Sequence, residues 1–221
     1  SHINLMCAES PGPSVGKLVP KVKSTAQILY IIYFTMTAIE FIFLLLGRKP
    51  VFDAINTSFG TAGTGGFGIK NDSMASYSPY IKWVVTIFMI LFGVNFNAYY
   101  LILFKQFKKA IKMEEVKCYF MIILASILVI FINIVKTYTN VFKAFTDAAF
   151  QVGSIITTTG YSTTDFDLWP GTSKTILVML MFVGACAGST GGGIKVSRFL
   201  IMFKTVVKEL RSYIHPKSIQ K

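Results

Sequence analysis

Apolar and polar positions along the chain follow an order that occurs twice. Four apolar runs approach the roughly 20 residues that a helix needs to cross a bilayer. Two shorter apolar segments lie between them, and each is too short to span and typical of a re-entrant helix. The order predicts an all-α membrane protein with two tandem units, each a helix, a pore loop behind a short helix, and a second helix. The runs cover about 26–46, 80–104, 118–135 and 173–207, and the short segments cover 51–62 and 142–156.

A loop with the pattern Thr-x-Gly-aromatic-small follows each short segment. The two copies are 94 residues apart, and an Asp-Ala pair, at Asp53 and Asp147, precedes each copy by the same interval. Glycine supplies the dihedral angles that turn carbonyl oxygens toward a cation. We therefore predict two ion-filter loops rather than two ordinary turns. The predicted filter residues are Thr64, Gly65, Gly66, Thr158, Thr159 and Gly160, with Phe67 and Tyr161 wedging the loops against neighbouring helices.

The fourth run is interrupted between Gly184 and Gly193, where ten residues contain five glycines. Each glycine in a helix costs about 1 kcal/mol relative to alanine, so an unbroken helix is unfavourable here. The residues alone favour equally a movable loop beneath the filter and a small-residue face for close helix packing. A phosphate-binding P-loop is rejected, because Ile194 separates the last glycine from Lys195 where that motif requires them to be adjacent.

Composition and charge agree with a membrane protein. Of 221 residues, 53% are hydrophobic and 14% are charged. The net charge of +12 could suit nucleic acid, but the basic residues cluster between apolar runs, so no nucleic-acid partner is expected. Segment 105–117 carries five lysines, whereas 163–172 carries no Lys or Arg. The positive-inside rule therefore predicts that 105–117 and both termini are cytoplasmic and that both filter loops face outward.

No set of side chains has the spacing of a catalytic or metal site. The cysteines are far apart, and the two histidines lie near the ends of the chain. We therefore expect no enzyme activity, disulfide framework, zinc site or covalent cofactor. These residues are Cys7, Cys118, Cys186, His2 and His215.

A few polar side chains fall inside the apolar runs. Glu40 lies in the first run, and a carboxylate within a membrane is a functional candidate by default. Pairing of Glu40 with Arg48 or with a neighbouring helix is the favoured alternative. Asn95 and Asn97 lie in the second run, and they are expected either to face a pore or to bond across helices.

At these segments the chain resembles the Trk/Ktr/HKT potassium transporters, most closely the bacterial TrkH-type subunits. Both loops are similar to degenerate copies of the Thr-Val-Gly-Tyr-Gly filter of that family. Segments 10–13, 93–96 and 188–195 are also similar to segments of the family, so the resemblance covers nearly the whole chain. It implies potassium as the transported ion, and glycine at both filter positions favours potassium over sodium, since related plant sodium transporters carry serine at one such position.

The resemblance also implies partners and a gate. The family arranges four units around a pseudo-fourfold pore, and this chain looks like the central pair. The remaining units of a longer chain or a second copy are thus expected partners, with membrane lipid, a homodimer and a cytosolic nucleotide-binding regulatory subunit. The implied location is the bacterial plasma (inner) membrane. The implied gate residues are Gly188, Gly191, Gly192, Gly193 and Lys195, whose charge would repel cations in a closed state.

The predicted organisation has five segments. They are a cytoplasmic linker at 1–25, a first unit at 26–104, a cytoplasmic basic loop at 105–117, a second unit with a broken inner helix at 118–207, and a cytoplasmic tail at 208–221. The favoured function is passive potassium uptake. Two alternatives stay open: a symporter that couples potassium to sodium or protons through Glu40, and a non-conducting scaffold.

Overall fold

The structure is a computed structural model that describes residues 22–214. Regular structure in that range is helical, as the apolar pattern predicts, and contains no strand. The helices are α1 (Val22–Leu46), α2 (Val51–Ala62), α3 (Pro79–Phe92), α4 (Phe96–Leu103), α5 (Phe107–Lys112), α6 (Glu114–Ile134), α7 (Val141–Ile156), α8 (Gly171–Val183) and α9 (Val196–Ile214), with 3-10 turns at Val135–Thr137 and Phe166–Leu168. The predicted linker up to residue 21, with His2 and Cys7, and the tail from His215 lie outside the described residues.

Side-chain caps begin two helices that position the loops. Ser78 Oγ accepts the Ile81 N–H at 3.4 Å, and Pro79 takes the first helical position of α3, where its missing N–H costs nothing. Asn140 Oδ1 accepts the Phe142 N–H at 2.9 Å and begins α7. These local signals explain why polar residues stand directly before two apolar helices.

The two sequence units pack into one interlocked body. Within the first unit α1 packs on α2, and within the second unit α6 and α8 pack on α7. The units meet where α3 packs along α7. Phe150 and Tyr161 belong to the second unit by sequence but lie in the apolar core of the first. The second unit's loop is therefore held partly by the first unit.

The second apolar run is not a single spanning helix, contrary to the sequence prediction, whereas the fourth is broken between α8 and α9, where its glycines predict a break. In the described range, two helices are long and apolar enough to cross a membrane, Ala26–Leu46 and Glu114–Thr137. The pair α3 and α4 adds a third candidate, but it is bent by 91°. Helix α8 has 13 residues. At 1.5 Å per residue that is about 20 Å, short of the roughly 30 Å hydrocarbon core.

The bend between α3 and α4 involves contacts that the hydropathy pattern does not reveal. The Tyr119 hydroxyl occupies the space that a Cβ on Gly93 would need, so only glycine fits there. Asn95 Oδ1 accepts the Asn97 N–H at 2.9 Å and begins a new helix. Asn95 Nδ2 also donates to Glu115 Oε2 at 3.2 Å. For Asn95, the alternative of bonding across helices is therefore the correct one.

Two segments predicted as loops are partly helical. Within 105–117, α5 occupies Phe107–Lys112 and α6 begins at Glu114. Helix α9 continues to Ile214 through the start of the predicted tail. All five lysines of 105–117 stay exposed on this segment. The lysine charges from which a cytoplasmic location of this segment was predicted are thus at the surface.

Candidate functional site

The two loops are held by matching backbone hydrogen bonds. We call residues 63–68 the first loop and residues 157–162 the second loop. In each loop, one carbonyl oxygen of the preceding helix accepts N–H bonds from two consecutive loop residues. The bonds are Gly65 N and Gly66 N to Gly60 O at 2.8 and 3.3 Å, and Thr159 N and Gly160 N to Ser154 O at 2.9 and 3.4 Å. Since all these positions are 94 residues apart, the sequence repeat is also a structural repeat.

Each loop places two equivalent residues in the left-handed backbone region. The φ angles are 51° at Thr64 and 66° at Gly66, and 58° at Thr158 and 90° at Gly160. This conformation costs an L-residue such as threonine about 1–2 kcal/mol, whereas glycine adopts it freely. The same strain at the same threonine in both copies indicates a loop shape that the surrounding structure imposes.

The two loops touch at Gly66. A Cβ added there would overlap the carbonyl oxygen of Thr159 and lie 2.8 Å from its carbonyl carbon. Because both colliding atoms are backbone, no side-chain movement would relieve the overlap. Glycine at this position is therefore what lets the loops lie side by side.

The loops also have an electrostatic and structural frame. Helices α2 and α7 end at the loops, so the partly negative ends of their dipoles favour a cation nearby. The repeated aspartates brace the chain after each loop. Asp53 Oδ2 accepts from the Tyr77 hydroxyl at 3.1 Å, and Asp147 Oδ1 accepts from the Thr163 hydroxyl at 2.8 Å.

The aromatic residues of the repeat behave differently. Tyr161 is 1% exposed, and Ser154 Oγ donates to its carbonyl oxygen at 2.6 Å. The Tyr161 hydroxyl donates to Thr57 O on α2 at 3.4 Å, so this side chain lies between the two units. Phe67 is 83% exposed, and the expected wedge at that position is wrong for the described part of the chain. No described helix packs on the outer face of the first loop there.

The glycine-rich loop, residues 184–195 between α8 and α9, lies against both threonines of the predicted filter. Thr64 Oγ1 donates to Thr190 O at 3.1 Å. Gly192 N donates to Thr158 Oγ1 at 2.6 Å. The sequence left open whether this segment lies beneath the filter or packs against another helix, and the structure places it in direct contact with both loops.

Close backbone approach explains several glycines of this loop. An added Cβ on Gly191 would lie 3.0 Å from Thr157 O, and one on Gly184 would lie 2.8 Å from Gly193 Cα. Lys195 has a φ of 80°, and its ammonium group donates to Gly191 O. The Lys195 charge is thus held against the same loop by its own hydrogen bond. Gly188 is the acceptor for the Phe96 N–H at 3.0 Å.

Two further polar residues of the site were missed by sequence reasoning. Glu115 contacts the glycine-rich loop, although in the sequence it is only one acid in a lysine-rich segment. Lys49 follows the first apolar run as a charged residue, yet it is only 4% exposed. Its ammonium group donates to Thr57 Oγ1 at 2.6 Å and lies 3.9 Å from the centre of the Tyr77 ring. The sequence offered one signal for the burial of Lys49: it directly follows the residues that end the first helix.

Burial lowers the pKa of Lys49 to about 8, and the nearby Asp53 and Glu40 carboxylates oppose that shift only in part. A lysine in the unfolded chain has a pKa of about 10.4, so the folded protein binds this proton less readily. The free energy of unfolding therefore rises as pH increases from about 8 to about 10.4, where only the unfolded chain is protonated.

We expect Lys49→Met to flatten this part of the pH profile. The measurement is thermal unfolding of the purified protein in micelles at pH 8 to 10.5, compared with the unmodified chain. Lys143→Met is the control, because Lys143 is an exposed lysine and is not among the charges that shift the pKa of Lys49. A Lys49→Met profile as steep as that of the unmodified protein would contradict the assignment.

Glu40 is buried without the expected partner. Its two carboxylate oxygens have no hydrogen-bond partner in the described residues, and the predicted pair with Arg48 is absent. The Thr61 hydroxyl lies beside Glu40, but its geometry gives a hydrogen bond to Thr57 O at 2.8 Å. Glu40 is thus a buried carboxylate near α2, the helix that precedes the first loop, and it is a second candidate functional residue.

The fold defines a class: a helical membrane protein with two repeated loops between apolar helices. The family model described as "TrkH: Cation transport protein" matches residues 4–221, and the chain belongs to that family. The family is one of transport proteins rather than enzymes, in agreement with the sequence expectation.

Named relatives agree with this assignment. The Trk system potassium uptake protein TrkH of Vibrio parahaemolyticus is 36% identical over 98% of this chain, and that of Escherichia coli is 32% identical over 98%. The crystal structure of the potassium transporter TrkH from Vibrio parahaemolyticus matches with a TM-score of 0.86 and 33% identity, covering 93% of this chain and 45% of that one. The chain spans 46% of the length of both curated relatives.

Proposed function

We propose that this chain supplies two adjacent filter units of a potassium uptake pore. The observation that carries the proposal is the pair of loops with one hydrogen-bond scheme, lying side by side at Gly66 and Thr159. Relatives called potassium uptake proteins are about twice as long as this chain. Their length leaves room for two further units, which would complete a fourfold ring of loops.

In this proposal, backbone carbonyls and threonine hydroxyls of the loops replace the water around a potassium ion. The filter residues are the predicted ones, Thr64, Gly65 and Gly66 with Thr158, Thr159 and Gly160. The dipoles of α2 and α7 stabilise the ion as it sheds water. Since neither loop carries an ionised group, the energy of the bound ion is set by oxygen dipoles alone, which keeps binding weak enough for release.

The glycine-rich loop acts as the gate. It is hydrogen-bonded to Thr64 and Thr158, the first predicted filter residue of each loop. Conduction then requires the loop to move away from these threonines. The gate residues are Gly188, Gly191, Gly192, Gly193 and Lys195, as the sequence predicted.

The proposed setting is the bacterial inner membrane, with both termini cytoplasmic. The exposed lysines of 105–117 support this orientation through the positive-inside rule. They would also suit an acidic face of a cytosolic nucleotide-binding regulatory subunit. We expect a homodimer of complete pores, with lipid around the exposed apolar faces of α1 and α6.

The buried Glu40 favours coupled transport as a second candidate. A carboxyl group without a hydrogen-bond partner could exchange a proton or hold a sodium ion during the cycle. Obligatory sodium or pH dependence of potassium flux that disappears in Glu40→Gln would support symport. Flux that depends only on the potassium gradient, in both proteins, supports the passive pore.

The proposed function is tested by rubidium uptake into liposomes. The complete pore, meaning this chain with the remaining units of its parent polypeptide, is expected to give saturable uptake that resists excess sodium. The chain alone is measured beside it and should be silent unless two copies assemble four loops. Absence of uptake by the complete pore in the presence of a potassium gradient would contradict the proposal.

A further inference from the structure

One carboxylate joins the glycine-rich loop to two other parts of the fold. Glu115 Oε1 accepts the Ala187 N–H at 2.6 Å, and Glu115 Oε2 accepts from Asn95 Nδ2 at 3.2 Å. Glu115 lies in the first turn of α6. Each carboxylate oxygen therefore holds a different element, one in the loop and one at the bend between α3 and α4.

Backbone bonds surround this junction. Cys186 N donates to Gly93 O, and Phe96 N donates to Gly188 O, both at 3.0 Å. The bend thus supplies one acceptor and one donor to the loop. The Ala187 N–H lies between these two bonds, and Glu115 satisfies it. Without that carboxylate, the half-buried region would keep an unpaired amide, which is unfavourable.

The anchored residues and the filter contacts lie on one short stretch. Ala187 is three residues before Thr190, whose carbonyl accepts from Thr64, and five before Gly192, whose N–H donates to Thr158. A hydrogen bond to an ionised group is stronger than one between neutral groups. The Glu115 anchor is therefore suited to hold this stretch against the filter loops.

We propose that Glu115 is a positioning residue that holds the glycine-rich loop closed against the filter. This inference rests on the proposed gate. Asn95 orients the carboxylate, because its own Oδ1 is occupied by the Asn97 N–H and leaves only Nδ2 to face Glu115. Release of the anchor frees the loop at Ala187 and raises the open fraction of the pore.

The neighbouring Glu114 provides a matched control. It is exposed and pairs with Lys204 on α9, and none of its described contacts reaches the glycine-rich loop. Glu114→Ala removes the same charge from the same helical turn. It should leave flux unchanged, since an exposed ion pair contributes little.

The first test is rubidium uptake by the complete pore with Glu115→Ala, Glu115→Gln or Glu114→Ala. Loss of a charged hydrogen bond corresponds to an increase in basal uptake of about fivefold or more for Glu115→Ala, because the closed state loses its anchor. Glu115→Gln keeps an acceptor for Ala187 but faces Asn95 with a donor, so its uptake should be intermediate. The ratio of rubidium to sodium uptake should not change, since the filter loops are untouched.

A swap of the two side chains separates positioning from general damage. In Asn95→Asp with Glu115→Gln, the new amide accepts from Ala187 and donates to the new aspartate, which still caps α4. The double variant should return uptake to the unmodified level. Asn95→Asp alone places two carboxylates opposite each other. Their repulsion should raise uptake as Glu115→Ala does.

Loop release has a second readout at Cys186, which is buried. In a background with Cys7→Ser and Cys118→Ser, a small thiol reagent should label Cys186 faster in Glu115→Ala than in Glu114→Ala. Unchanged uptake and labelling in Glu115→Ala, in a pore that still conducts rubidium, would overturn the inference and leave the proposed function intact. Failure of the double variant to restore uptake would also overturn it. A pore that never conducts rubidium removes the proposed function itself.

Discussion

Gly66→Ala is expected to reduce rubidium uptake by the complete pore at least about tenfold, which corresponds to about 1.4 kcal/mol or more. The new Cβ would overlap the Thr159 carbonyl oxygen of the other loop. It would also hold an L-residue at a φ of 66°. Relief requires the two loops to separate, and this displaces filter oxygens in both units together.

Gly160→Ala is the matched comparison for this prediction. Gly160 is the equivalent glycine of the second loop, with a φ of 90°, but nothing described lies within 4 Å of its Cβ position. Gly160→Ala therefore introduces backbone strain but no collision with the other loop. Its loss of uptake should be smaller than that of Gly66→Ala. Equal losses would mean that contact between the loops is not important. If Gly66→Ala takes up rubidium as fast as the unmodified pore, the claim that the two loops form a filter in contact at Gly66 is contradicted.

Tyr161→Ala should destabilise the protein by about 3–5 kcal/mol, the usual cost of deleting a buried aromatic ring. The Tyr161 ring lies in the core of the first unit although it belongs to the second, so the cavity would loosen the contact between units. Tyr161→Phe keeps the ring and loses only the 3.4 Å bond to Thr57 O, which should cost less than about 1 kcal/mol.

Phe67→Ala is the control from the other copy of the repeat. Because Phe67 is 83% exposed, its removal should change the free energy of unfolding of this chain by no more than about 0.5 kcal/mol. Thermal unfolding of the four proteins in micelles gives the comparison. Equal destabilisation by Tyr161→Ala and Phe67→Ala would contradict the different packing of the two aromatics.

The repeat could be predicted from the sequence because its signals are local. An apolar segment too short to span, followed by threonine and glycine at fixed positions, predicted α2, α7 and both loops. The glycines at 184–193 likewise predicted the break between α8 and α9. In each case one or two residue types in the segment itself determine its local backbone conformation.

The errors arose where a residue's conformation depends on distant neighbours. Gly93 looks like one small residue in an apolar run, but the Tyr119 hydroxyl from α6 leaves no space for a Cβ at this position beside the bend. Phe67 and Tyr161 are equivalent in sequence, yet described helices cover only Tyr161. Glu115 belongs to a charged segment, and its bond to Ala187, 72 residues away, has no local signal.

The central claim is that the second loop is part of an ion filter. The most direct measurement is rubidium uptake, with sodium as competitor, by the complete pore with Gly160→Asp or Gly171→Asp. Both positions have free space around the Cβ and both gain one carboxylate, but Gly171 lies at the start of α8, away from the loops. The account predicts that Gly160→Asp abolishes sodium-resistant uptake while Gly171→Asp preserves it. Unchanged uptake and selectivity in Gly160→Asp would contradict the filter assignment.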